Sequence, residues 1–266
     1  AGLILASYYW ILFALTGGAA LVGLSLMNWR WGIYGLLLYL PFAGVPVLAM
    51  YPATRVPLLL KDFLFVIPAY VGFLASCTMR KKPILFPGAP VVLLVALAAL
   101  VIIQLFNPVL HNRLVGLIGL KIWLFYVPLF FLGYHLLDSK KQLLHVLRLM
   151  IWVAVVPAAI GVIEAILISR GYADIVYSLY GPAAPAVTQR FMETVFLGGG
   201  FLRRVPSTFT FVTQYYAFTM SMTAVGYALW RAERVQGRRS VVISFAFGLI
   251  ILAALLSGSR APFIMI

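Results

Sequence analysis

The sequence predicts an all-α, polytopic transmembrane helix bundle, and three observations predict it. Of its 266 residues, 64% are hydrophobic and only 10% are charged, with a mean hydropathy of +1.06. A water-soluble domain cannot cover that much apolar surface. The apolar residues come in runs close to the ~20 needed to cross a hydrocarbon core of about 30 Å. Those runs do not alternate as barrel strands do, so helices must satisfy the backbone within lipid. A single cysteine, Cys77, excludes an intrachain disulfide and a cysteine metal site, and the three histidines are scattered. No metal and no cofactor is expected.

The first span runs from about Tyr8 to Met27, with Gly17-Gly18 for close helix contact. Asn28 to Trp31 is an aromatic and basic turn of the interfacial kind. The second span, about Gly32 to Met50, holds Pro41 and Pro46, which kink it or end it early. The third, about Phe63 to Thr78, has Asp62 at its start as a dipole-matched cap. Arg80-Lys81-Lys82-Pro83 is a basic stop. The fourth span is about Pro90 to Phe106, and Asn107 to Lys121 reads as a loop holding His111, Arg113 and Lys121. The fifth is about Ile122 to Leu137. The sixth, about Leu144 to Ile168, has Pro157 as a kink and Glu164 near its far end.

Residues 169–205 form the longest polar segment, read as an outer loop. It is rich in Gly, Pro and Ala, with Ala186 to Phe196 as a possible short interfacial helix and Gly198 to Gly200 as a hinge or turn. The seventh span is about Thr208 to Trp230, the eighth about Val241 to Leu256, and a ninth begins at Ala261. With no repeat and no second domain visible, 1–266 reads as one transmembrane domain of about eight spans. The start at Ala1 and the stop inside an apolar run suggest a piece of a longer protein, and no cleavable signal peptide is visible.

The net charge of +14 would suggest nucleic acid in a soluble protein. Here it reads as anchoring of loops to one side of a bilayer, and nucleic acid is not an expected partner. Arg30, Arg80 to Lys82, Lys140, Lys141, Arg148 and the Arg231–Arg239 loop fall on one side and lie in short loops, which places that side in the cytoplasm. Arg55, Lys61, Arg113, Lys121, Arg170, Arg190, Arg203, Arg204 and Arg260 fall on the other.

Those outer cations need a purpose. Arg203-Arg204 and Arg260 sit at the outer ends of spans seven and eight, at one expected depth. A guanidinium is always charged and binds phosphate bidentately. Lys121 resembles Arg204 in placement, and Arg113 is a further outer cation. Ser207 caps a helix start or binds an anion there. Gln214, four residues after Thr210, is expected on the same face. Glu164 pairs with an arginine or acts on substrate. His111 is the one outer histidine. No nucleotide loop, zinc motif or serine elbow is present.

RRVPSTFTFVTQYYAF, and about forty residues later LLSGSRAPF, resemble the membrane core of bacterial O-antigen ligases and O-antigen polymerases. The run from Gly119 to Ile166 is similar to their middle section, and the resemblance extends from Asn107 onward. It implies a metal-independent, GT-C-like membrane glycosyltransferase of surface-polysaccharide biosynthesis in the bacterial inner membrane, with its site facing the periplasm. Such enzymes take a glycan from an undecaprenyl-diphosphate carrier and pass it to a lipid A core sugar, a growing polysaccharide or a protein. Arg204 and Arg260 match the diphosphate-binding arginines, with Arg203 next if the register shifts by one. The histidine that serves the acceptor hydroxyl in the ligases is expected beyond residue 266. Two other readings stand beside this one: a transporter of an anion or small solute, and a non-enzymatic scaffold.

Overall fold

The computed structural model describes residues 2–50, 56–84, 88–108, 112–180, 193–195, 201–237 and 240–258. Helices dominate them. The stretches Val56–Met79, Leu114–Leu136 and Lys140–Ser169 are each long and apolar enough to cross a membrane. Trp29–Phe42 and Gly44–Met50, bent by 55° at their junction, make a fourth if the pair is one span. Leu15–Met27, Ala89–Leu105 and Val241–Leu256 are apolar but shorter. Large apolar side chains such as Leu93, Ile103, Trp123 and Phe245 stand mostly exposed, a surface suited to hydrocarbon rather than water.

Two compact units divide the chain: Ala1–Tyr34 with Asp62–Asp138, and Gly35–Lys61 with Ser139–Ile266. The first division falls within α2 (Trp29–Tyr39), which follows α1 (Gly2–Met27).

In the first unit, α4 (Ile67–Met79) packs against α1, with Trp29 and Phe73 edge to face at 5.1 Å. A π-type turn at Asp62–Val66 precedes α4. Asp62 is not the expected helix cap. It sits inside this wide turn, buried, where the Lys121 ammonium meets it at 3.0 Å and the Tyr126 hydroxyl donates to it at 2.8 Å.

Helix α5 (Ala89–Leu105) pairs with α6 (Arg113–Leu124). The expected loop from Asn107 to Lys121 is therefore mostly helix. Asn112, in extended backbone, accepts a hydrogen bond from the Leu114 amide at 2.9 Å and so caps the first turn. Arg113 and Lys121 look like loop charges in sequence, yet a capped apolar helix carries both. Helix α7 (Pro128–Leu136) opens on a proline, which cannot donate to the preceding turn. The Phe125 carbonyl in that break accepts instead from the Tyr70 hydroxyl at 2.6 Å.

In the second unit, α8 (Lys140–Ser169) starts at the Ser139 cap and continues through Pro157. It packs against α10 (Val212–Val235) and α11 (Val241–Leu256). The spacing of Ala154, Pro157, Ala158, Gly161 and Glu164 puts all five on one buried face of α8. Ile151, Met222, Leu229, Ile243 and Ile250 fill the core, and Val205 and Phe209 plug into it from the preceding segment. Arg148 of α8 donates to Glu233 of α10 through Nε and a terminal nitrogen, at 3.2 and 3.0 Å. Helix α10 is 24 residues long, but its Thr, Gln, Ser and Tyr content keeps it out of the apolar group above.

Residues 169–205 differ from expectation at two points. Ala173–Leu179 forms a short helix, α9. Glu193–Val195 is a strand, β1, not part of a helix, and pairs antiparallel with β2 (Phe201–Arg203), Glu193 opposite Arg203. The β-branched pair Thr194-Val195 suits a pleated ribbon better than a helix. Gly198 to Gly200 and the rest of the expected helix lie outside the described residues.

Candidate functional site

The second unit organises its polar groups around Ser207. This residue has φ of 51°, a left-handed backbone that non-glycine residues seldom take and that costs on the order of 1–3 kcal/mol. Three bonds hold it there. Its hydroxyl donates to the Pro157 carbonyl at 2.7 Å, and its amide donates to the Glu164 carboxylate at 3.0 Å. Its own carbonyl accepts from the Tyr180 hydroxyl at 2.6 Å. Tyr180 also hydrogen-bonds to Glu164, so the tyrosine and the acid close a ring around the turn. Burial, and then the Glu164 charge, hold the Tyr180 hydroxyl protonated far above the ordinary phenol range.

The neighbouring residues are fixed as firmly. The Thr208 hydroxyl donates to the Pro41 carbonyl, in the break between α2 and α3 (Gly44–Met50). Gly44 lies so close beneath residues 208–210 that an added Cβ would strike the Thr208, Phe209 and Thr210 backbone. Gly161 in α8 leaves the space taken by the Tyr215 ring tip, where a Cβ would also collide. The Val205 amide donates to the Ser257 carbonyl at 3.3 Å.

This geometry places the sequence-predicted residues as follows. Arg204 is half-buried, directly before the locked turn. Arg203 ends β2. Ser257, three residues before Arg260, is bonded to the residue after Arg204, so the stems of the two arginine motifs meet. Arg260 itself lies outside the described residues, as does His111. Ser207 and Glu164 join in one cluster. Ser207 caps no helix, because α10 starts only at Val212. Among the described residues, Glu164 is held by a tyrosine and a backbone amide.

Gln214 is exposed and does not join them. Thr210 precedes the helix, so the four-residue spacing does not put the two on one face. Lys121 belongs to the first unit, in the last turn of α6 rather than at a span's outer start, and its charge is met by Asp62. Arg113 is the first residue of α6. Sequence reasoning missed Tyr180, Pro41 and the Pro157 carbonyl. Among the described residues no group of His, Cys, Asp and Glu could hold a metal ion.

Chemically, the cluster is a brace. Its acid is occupied by neutral donors, and it fixes the backbone that carries Arg204. No family model, curated protein or solved structure matches this chain.

Proposed function

We propose that the chain is the donor-binding membrane part of a GT-C-like glycosyltransferase of surface-polysaccharide biosynthesis, with about eight spans in a bacterial inner membrane. Its donor is a glycan on a polyprenyl diphosphate, and its acceptor is a polysaccharide or lipid A core sugar. The observation that carries this reading is the Ser207 turn. It fixes the backbone beside Arg204 and ties it, through Val205 and Ser257, to the stem that leads to Arg260. A diphosphate leaving group gains charge as its bond to the sugar breaks. Guanidinium groups held where that charge develops stabilise the transition state above the ground state. Activation of the acceptor hydroxyl requires a general base near it.

The test expresses the complete protein with Arg204→Ala or Arg260→Ala and measures surface glycan and lipid-linked precursor. Either change is expected to slow transfer about 100-fold, the scale of one lost oxyanion donor, with precursor accumulating. Normal glycan from normally inserted variants ends the reading.

One observation favours a second reading. The 55° break between Trp29–Phe42 and Gly44–Met50 is the kind of discontinuous helix that transporters use at substrate sites. Solute uptake into proteoliposomes, with glycan unaffected by either arginine change, would establish it.

A further inference from the structure

The first unit carries a cavity of about 300 Å3 that the reading above does not use. It lies where three chain segments meet: the turn between α1 and α2, the end of α4 and the end of α7. The order of the spans assigns these segments to one side of the bilayer. Its walls are of two kinds. Trp29 and Phe73 make an aromatic face, and Arg80, Lys82 and the Arg30–Asp138 pair make a polar one.

The charges around it do not balance. Asp138 is taken by Arg30, whose guanidinium lies 2.5 Å from it and also sits over the Trp29 ring at 5.6 Å. Arg80 and Lys82 have no ion-pair partner among the described residues. Among the described lining residues, three cations, Arg30, Arg80 and Lys82, therefore share one carboxylate, Asp138.

The backbone is shaped to put them there. The Lys82 amide donates to the Cys77 carbonyl at 3.0 Å and the Lys81 amide to that of Thr78 at 3.3 Å. This is a Schellman-type helix end, in which the turning residue is usually glycine. Here it is Lys81, at φ 50°. The turn reverses the chain so that Arg80 and Lys82 line the cavity while Lys81 does not.

We propose that this cavity is a phosphate-binding site. Arg80 and Lys82 take the phosphate of an anionic ligand, and Trp29 and Phe73 contact its less polar part. Two sources share that chemistry: the headgroup of an anionic phospholipid, as in other basic pockets among membrane helices, and a free phosphate.

The test uses the full chain in phosphatidylcholine nanodiscs, with and without phosphatidylglycerol. Bound phosphatidylglycerol is counted by native mass spectrometry, and inorganic phosphate is titrated by calorimetry. The combined Arg80→Gln and Lys82→Gln variant is expected to lose about tenfold or more in affinity, the scale of one charge-assisted hydrogen bond. The combined Lys140→Gln and Lys141→Gln variant removes the same charge from an exposed run that does not line the cavity and is expected to stay within about twofold, since exposed charges that make no direct contact are screened. Binding of phosphatidylglycerol alone identifies a lipid site, and binding of inorganic phosphate alone identifies a soluble anion. Equal losses in the two variants, or no binding of either probe, overturn the proposal. Melting curves of both variants confirm that they fold.

Discussion

Asp62 in the first unit and Glu164 in the second are both buried acids, 2% and 6% exposed, and the chain meets their cost in opposite ways. Asp62 faces a cation, Lys121, with the Tyr126 hydroxyl as a second partner. Among the described residues, Glu164 faces neutral donors, the Ser207 amide and the Tyr180 hydroxyl. In the first case charge cancels charge, and the pair fastens α6 to the turn before α4. In the second the acid fixes the conformation of a loop.

That contrast can be broken at several points. The largest effect is expected at Gly44→Ala, which drives a methyl group into the backbone of residues 208–210. Overpacking against backbone that is itself pinned costs about 3 kcal/mol, read as a lower melting temperature in detergent and lost transfer activity. An unchanged melt would mean that the loop is not seated on Gly44.

Next comes the pair of partner deletions. Lys121→Met removes the cation from a buried carboxylate that keeps the Tyr126 hydroxyl, and is expected to cost about 3 kcal/mol. Glu164→Ala removes an acid but leaves only neutral groups behind, at about 2 kcal/mol. If Glu164→Ala proves the more damaging of the two, the view of the second cluster as a neutral brace fails. The smallest effect is expected at Ser207→Gly. Glycine relieves the left-handed strain but loses the bond to Pro157, and the two nearly cancel, to within about 1 kcal/mol. A large loss would show that the hydroxyl outweighs the strain.

The helical character was legible in sequence because long apolar runs leave the backbone no other solution. The stems of the two arginine motifs meet at Val205 and Ser257, but Arg260 itself lies outside the described residues. Three features were not legible. The helix from Arg113 was hidden because its cap, Asn112, sits among residues that resemble a loop. Tyr180 was hidden because its partners lie 16 and 27 residues away, and nothing in a local pattern marks such a bond. Gln214 was misplaced because helical spacing was applied across a residue, Thr210, that is not in the helix. In each case the local pattern was read correctly, and the error lay in where a helix begins or in what reaches it from far off.

The broken helix around Pro41 has a consequence for how the protein is made. Its Pro41 carbonyl, buried in the break, is met by the hydroxyl of Thr208, which lies 167 residues further along the chain. At a synthesis rate of about 5–20 residues per second, that partner emerges roughly ten to thirty seconds later. Until then an unpaired backbone group must sit in water, in the insertion machinery or against a temporary partner. The early helices therefore enter the membrane unfinished, and the arrival of the Ser207 turn completes them. One short segment thus closes both the proposed donor site and a helix break laid down long before it.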